Sequence, residues 1–212
     1  MINDYKPNNK GTKQLFENPV LEGLSRTNFW FPILLFYFLS AGLIIYGLAT
    51  EDFNWWTIPL TFIIGLVMFS LFEYLVHRFV FHFEPKNEKQ KKVLYALHGV
   101  HHEFPRDKDR LVMPPVVSVV LAVVFFLVFK VAIGKFAFLL FPGFASGYST
   151  YLLIHYAVHA YRPPQNFLKH LWIHHTLHHY KDTEAAFAVS FPLWDILFKT
   201  MPDDKKRHRV SQ

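Results

Sequence analysis

Thirteen histidines occur among the 212 residues, and twelve of them lie between His77 and His179. Ten fall into four groups: His77 and His82; His98, His101 and His102; His155 and His159; and His175, His178 and His179. A neutral imidazole is a common ligand for zinc, copper, iron or nickel. On a helix, positions i, i+3 and i+4 share a face. The spacing therefore predicts that His98, His101 and His102 converge, as do His155 with His159 and His175 with His178 and His179. His77 and His82 lie about 140° apart around a regular helix, so one must approach from the side or the helix must loosen there. Ten such rings would repel one another if protonated and would cost free energy if desolvated without partners. Binding of metal by the neutral rings removes both problems. Ten is too many for one ion, whereas two ions with about five histidines each leave a position open for oxygen or water. Zinc usually takes four ligands, so this count favours iron, with zinc as the alternative occupant. His170, His174 and His208 fall outside the spacings, and His174 is a candidate for hydrogen-bonding support only. The chain has no Cys, which excludes disulfides, thiolate metal sites, iron–sulfur clusters and a cysteine nucleophile.

The elements that must position these rings are long and apolar. Four stretches carry no charge: Phe29–Thr50, Trp55–Phe72, Leu111–Phe129 and Phe136–Ile154. A helix of about 20 residues crosses a hydrocarbon core about 30 Å thick, and each stretch is near that length. Burying four such helices in a soluble protein would need a larger polar envelope than this chain can supply. The first and second stretches are separated only by Glu51–Asn54, and the third and fourth by Lys130–Lys135, so each pair must form a tight hairpin. The expected fold is all-α and integral to the membrane. It has four transmembrane helices in two hairpins (about 29–50, 55–76, 112–133 and 136–156) and a cytoplasmic helical cap carrying the histidines.

Charge sets the orientation. Of 22 Lys and Arg, 20 lie in residues 1–28, 73–110 and 155–212. Lys and Arg near membrane ends mark the cytoplasmic face, so both termini and the histidine site are expected there, in a bacterial inner membrane or the endoplasmic reticulum. The organisation expected is a cytoplasmic segment over 1–28, a membrane domain over 29–200 and a basic tail over 201–212. Residues 1–10 are polar and predicted to be unordered, and Leu15–Leu24 is predicted to be a short interfacial helix. No secretory signal peptide is visible. The net charge of +6 follows from this topology and does not point to nucleic acid.

Four segments carry a family resemblance: FEYLVHRFVFH from Phe72, HGVHHEFPRDKDRLVMPP from His98, HYAVHAYRPP from His155 and HHTLHHYKDTEAAFAVSFPLWDILFKT from His174. The chain resembles the membrane-bound, histidine-rich diiron proteins of the fatty acid hydroxylase/sterol desaturase superfamily, and most closely the fatty acid 2-hydroxylases. The resemblance extends weakly back to Leu15. It implies as metal ligands His77, His82, His98, His101, His102, His155, His159, His175, His178 and His179. It further implies O2-dependent hydroxylation of a lipid acyl chain, expected at C2, by a diiron centre. Eukaryotic members often carry an N-terminal cytochrome b5-like domain with a His-Pro-Gly-Gly motif. No such motif stands before Phe29, so a separate electron-transfer protein, cytochrome b5-like or ferredoxin-like, is the expected donor.

Three other readings stand beside this one. They are another oxidation of the same superfamily (sterol or carotenoid oxidation, or desaturation), a metal- or proton-handling transporter, and a metal-stapled structural protein. A transporter would line a path across the membrane with its histidines, whereas these gather at one face. Glu73, Tyr74, Glu103, Asp107, Arg110, Tyr180 and Asp182 lie near the groups in sequence and are candidates to orient imidazoles.

Overall fold

A computed structural model describes residues 5–203. Of the expected basic tail, residues 204–212, including His208, lie outside the described residues. Within them the chain is helical, with no strand. Nine α-helices follow one another: α1 (Pro19–Leu24), α2 (Trp30–Thr50), α3 (Thr57–Val76), α4 (Glu88–Leu94), α5 (Val100–Glu103), α6 (Pro115–Ile133), α7 (Ala137–Ala160), α8 (Lys169–Tyr180) and α9 (Leu193–Leu197). Two π-helical turns, His77–Phe81 and Tyr95–Gly99, continue α3 and α4 into the histidine region.

Local chemistry sets the starts of these elements. Asn18 caps α1, its side chain accepting from the backbone N–H groups of Val20 and Leu21. Asn28 accepts from Trp30 N at 3.0 Å where α2 begins. Pro115 opens α6 at a position where the missing N–H costs nothing. Three helical segments are long and apolar enough to cross a membrane: Trp30–Thr50, Thr57–Phe81 and Lys108–Ala160. The last is 53 residues long and holds both α6 and α7, with a 3₁₀ turn, Gly134–Phe136, between them.

Helix α7 is the centre of the bundle and packs against α2, α3 and α6. Its first half, from Ala137 to Gly147, is buried throughout. The contact with α3 is a backbone approach: a Cβ on Gly143 would stand 2.1 Å from the Phe62 carbonyl, and one on Gly65 would stand 2.2 Å from the Leu140 carbonyl. Only glycine fits at this crossing, as is common where helices pack in lipid. Helix α2 meets α7 through Phe29 stacked on Tyr156, with centroids 3.5 Å apart and planes within 5°. The outer faces remain apolar and open. Val131 is 89% exposed, and Ile45, Val116 and Phe38 are also exposed, while Trp55 at the start of the second span is 82% exposed. An apolar belt of this extent with tryptophan at its edge suits a lipid surround. The chain is an integral membrane protein.

The expectation of unordered residues at the N-terminus is corrected for residues 5–10. Asn8 N donates to Glu103 O at 2.6 Å, and Asn9 Oδ1 accepts from the Tyr180 hydroxyl at 2.5 Å. Tyr5 packs on Tyr95 with centroids 5.1 Å apart. This polar stretch of chain thus lies across the ends of α5 and α8, where the Glu103 carbonyl and the Tyr95 and Tyr180 side chains supply its partners.

Candidate metal centre

All ten histidines of the four groups come together, as two sets of five. One set is His77, His82, His98, His102 and His178; the other is His101, His155, His159, His175 and His179. In each set the ligand atoms lie within 4.8 Å of one another. Eight rings are buried, and His82 and His159 are half-buried.

The expected convergence of each H-x2-H-H motif on a single point is corrected. His98 and His102 join one set while His101 joins the other; His175 and His179 join the second set while His178 crosses to the first. The reason is helical geometry. Residues i and i+4 are 40° apart, but i+3 and i+4 are 100° apart, so neighbouring histidines diverge to either side. The two motifs therefore interlock, each giving two rings to one set and one to the other. His77 and His82 do meet in one set, because the π-helical turn between them widens the helix so that five residues advance only a little past one turn.

The rings present bare nitrogen. Nδ1 of His155 donates to Leu111 O at 3.1 Å, Nδ1 of His178 donates to Ala185 O at 2.7 Å, and Nδ1 of His77 donates to Phe187 O. A carbonyl only accepts, so in a neutral ring each of these contacts leaves Nε2 as an unprotonated lone pair. Burial, followed by the neighbouring imidazoles, holds His98, His101 and His175 far below the usual histidine range. Burial and the adjacent rings act in the same direction on His102, His178 and His179.

The Nε2 spacing tests whether metal ions fit. Nε2 of His98 is 3.0 Å from Nε2 of both His77 and His102, and the His82–His178 pair is 3.1 Å apart. In the second set the His101–His155, His159–His175 and His175–His179 pairs stand at 3.0, 2.8 and 3.1 Å. A metal–nitrogen bond of about 2.1 Å gives adjacent nitrogens about 3.0 Å apart at right angles, and about 3.4 Å apart in a tetrahedron. The observed edges fit five- or six-coordinate ions, with lone pairs that would otherwise face one another. The residues present fit a pair of metal ions.

A cavity of about 350 Å³ adjoins both sets. His77 and His98 of the first set and His101 and His155 of the second line it, and its walls are otherwise mostly apolar, with Phe72 and Leu152 among them. A smaller cavity of about 70 Å³ lies beyond Phe69, Phe72, Met113 and Tyr148, which line both spaces.

Known proteins resemble this chain in both sequence and geometry. The family model for fatty acid hydroxylase matches residues 62–200. The chain belongs to the fatty acid hydroxylase family. It is 32% identical to the fatty acid 2-hydroxylase of Homo sapiens, over 91% of this chain and 57% of that protein. It is 32% identical to the dihydroceramide fatty acyl 2-hydroxylase FAH2 of Arabidopsis thaliana, over 93% of this chain and 84% of that one. The ceramide very long chain fatty acid hydroxylase SCS7 of Saccharomyces cerevisiae is 35% identical over 90% of this chain and 50% of its own length. A solved structure of full-length scs7p, with only its hydroxylase domain visible, superposes with a TM-score of 0.85 at 32% identity, covering 95% of this chain and 76% of that one. The chain thus spans a little over half the length of the mammalian relatives it matches.

Among the candidates to orient imidazoles, Glu103 and Asp107 turn elsewhere. Glu103 accepts from the Tyr95 hydroxyl, Asp107 pairs with Arg110 and Thr12, and Arg110 also reaches Glu22 and Ser25. Tyr74 contacts Thr200 and Arg78, and Tyr180 contacts Asn9. The imidazoles of His77, His155 and His178 find backbone carbonyls instead. His174, outside both sets, donates to Asp195 at 2.9 Å, and His170 is exposed. Asp195 is the residue that sequence reasoning missed. A carboxylate flanked by Trp194 and Ile196 in an apolar run was the available signal.

Proposed function

We propose that this chain is an O2-dependent lipid hydroxylase that oxidises a fatty acyl chain at C2, with two iron ions held by the ten histidines. The observation that carries the reading is the cavity: one largely apolar space of about 350 Å³, whose wall includes two histidines of each set. An alkyl C–H bond offers no polar handle, so the reaction needs a strong oxidant. When bound, the two ions supply O2 activation and the redox chemistry. His77, His82, His98, His102 and His178 would hold one ion, and His101, His155, His159, His175 and His179 the other. The apolar walls seat the chain and exclude water, while the carbonyls of Phe187, Ala185 and Leu111 keep the protons of His77, His178 and His155, respectively, on Nδ1.

The topology proposed is four crossings, with α6 and α7 each spanning once. Both termini, residues 1–28, the helical cap and the basic tail lie on the cytoplasmic side, and 29–200 forms the membrane domain. The basic count and the paired hairpins support it. The substrate class, a ceramide or related sphingolipid, rests on the named relatives. Electrons would come from a cytochrome b5-like or ferredoxin-like carrier, and exposed Lys86, Lys89 and Lys92 around α4 offer an acidic carrier a docking face. The test is lipid analysis after reconstitution with ceramide, O2 and a reductant. The parent should form 2-hydroxyacyl product and the His98→Ala variant should not. Full product from that variant, or a product oxidised elsewhere on the chain, overturns the assignment.

A further inference from the structure

The segment between α8 and α9 is mostly apolar, yet its backbone is held by two buried carboxylates. Asp195, on α9, is fully buried and accepts four hydrogen bonds: from Phe187 N at 2.9 Å and Thr200 Oγ1 at 2.7 Å on Oδ1, and from Ala188 N and His174 Nε2, both at 2.9 Å, on Oδ2. Those four bonds fill the acceptor sites of a carboxylate. Glu73, one helical turn before His77 on α3, accepts from Val189 N at 2.6 Å and from Ser190 N at 3.3 Å, and its second oxygen takes the Ser190 hydroxyl. Burying two carboxylates is expensive unless every oxygen is satisfied. Here both are satisfied mainly by one short stretch of backbone, residues 187–190.

That stretch, with the two residues before it, aims carbonyls at two imidazoles. Phe187, whose N–H is fixed by Asp195, turns its carbonyl to His77 Nδ1, and Ala185 turns its carbonyl to His178 Nδ1. Between them Ala186 adopts φ +60, a left-handed conformation that disfavours any residue with a Cβ, and its N–H is held by Thr200 O at 2.8 Å. The turn is thus forced by its anchors. Both imidazoles it serves belong to the first set. In the second set, His155 takes its carbonyl from Leu111 on a different segment.

Resting on the two-ion reading above, we infer that Asp195 and Glu73 are positioning residues for one ion of the pair. Through the 185–190 segment they set the His77 and His178 rings and leave the His101 set independent. Hydrogen-bonded partners of ligating histidines typically govern metal affinity by about 10–100-fold, so the loss should be confined to one site.

The test is metal content per chain, by mass spectrometry, in gently purified protein equilibrated with buffered iron. Asp195→Asn preserves shape but sets an amide NH2 against a backbone N–H. It should lower the content from two ions to one while helicity by circular dichroism stays at the parent level. Adding His98→Ala to Asp195→Asn should cause no further loss, whereas adding His101→Ala should remove the second ion. Glu73→Gln serves as the second variant and should give the same one-ion product. Retention of both ions overturns the inference, as does parallel loss of both or failure of both variants to fold. A parent protein that binds no metal sinks the two-ion reading itself, which is a separate outcome.

Discussion

The interlocked histidine motifs make a prediction that adjacency in sequence would not suggest. His98 and His101 sit one turn apart in the same motif, but their Nε2 atoms belong to different sets; His98 lies 3.0 Å from His77 and His101 lies 3.0 Å from His155. Metal binding of about 10–16 kcal/mol shared among four or five ligands assigns about 3 kcal/mol to each. Removing one ring should therefore weaken its own ion about a hundredfold and leave the other unchanged. At a free metal concentration tenfold above the parent dissociation constant, a parent site is about nine-tenths full and a site weakened a hundredfold about one-tenth full. His98→Ala and His101→Ala should each retain close to one ion per chain. The double variant His98→Ala/His101→Ala should then retain almost none, while His98→Ala/His102→Ala, both from one set, should still retain one. Metal content in protein equilibrated with a metal buffer reads this directly. One full ion remaining in His98→Ala/His101→Ala would mean that each motif builds its own site, and the two-set geometry would be wrong.

The wall between the two cavities should act as a chain-length stop. Phe72→Ala removes a ring that lines both spaces, and competition between acyl chains of different length should shift product toward longer chains; an unchanged product distribution would count against the acyl-chain assignment. Gly143→Ala puts a Cβ 2.1 Å from the Phe62 carbonyl, a misfit costing about 1–3 kcal/mol. Its melting temperature in detergent should fall by roughly 2–12 °C, whereas Gly42→Ala, with open space around it, should lose none of this. Acidification should release metal and destabilise the region that holds the histidines. The buried His98, His101, His102, His175, His178 and His179 titrate below the usual histidine value. The unfolded chain therefore takes up protons first, and the native state is at full strength above about pH 6.5. As the pH falls below that, each ring costs about 1.4 kcal/mol per unit. Metal content and thermal stability that stay flat from pH 7 to pH 5 would contradict it.

What the sequence made legible is what depends on composition over a whole turn or span. Charge-free stretches near 20 residues marked the long helices, because membrane crossing and burial both require an unbroken apolar surface. The histidines were visible because ten rings of one kind at helical spacing have few uses. Their partition was not, since it depends on the 100° between neighbouring residues and on which of two interlocked helices lies on each side. The π-helical turn at His77–Phe81 was anticipated only as an alternative; i→i+5 bonding leaves no residue signature of its own. The polar N-terminal stretch read as unordered because its anchors, Glu103 and Tyr180, lie about 95 and 170 residues away in the chain. Asp195 was hidden for the same reason. Two of its four partners are backbone N–H groups of a segment whose own side chains, Ala185 to Val189, are uniformly apolar, and backbone leaves no mark in a sequence. The rings of His77, His155 and His178 are therefore oriented by main chain: three carbonyls where carboxylates were expected. Such contacts place no hydrogen-bonding demand on the side chains of Ala185 and Phe187, both buried, whereas Asp195 and Glu73 fix where that backbone lies.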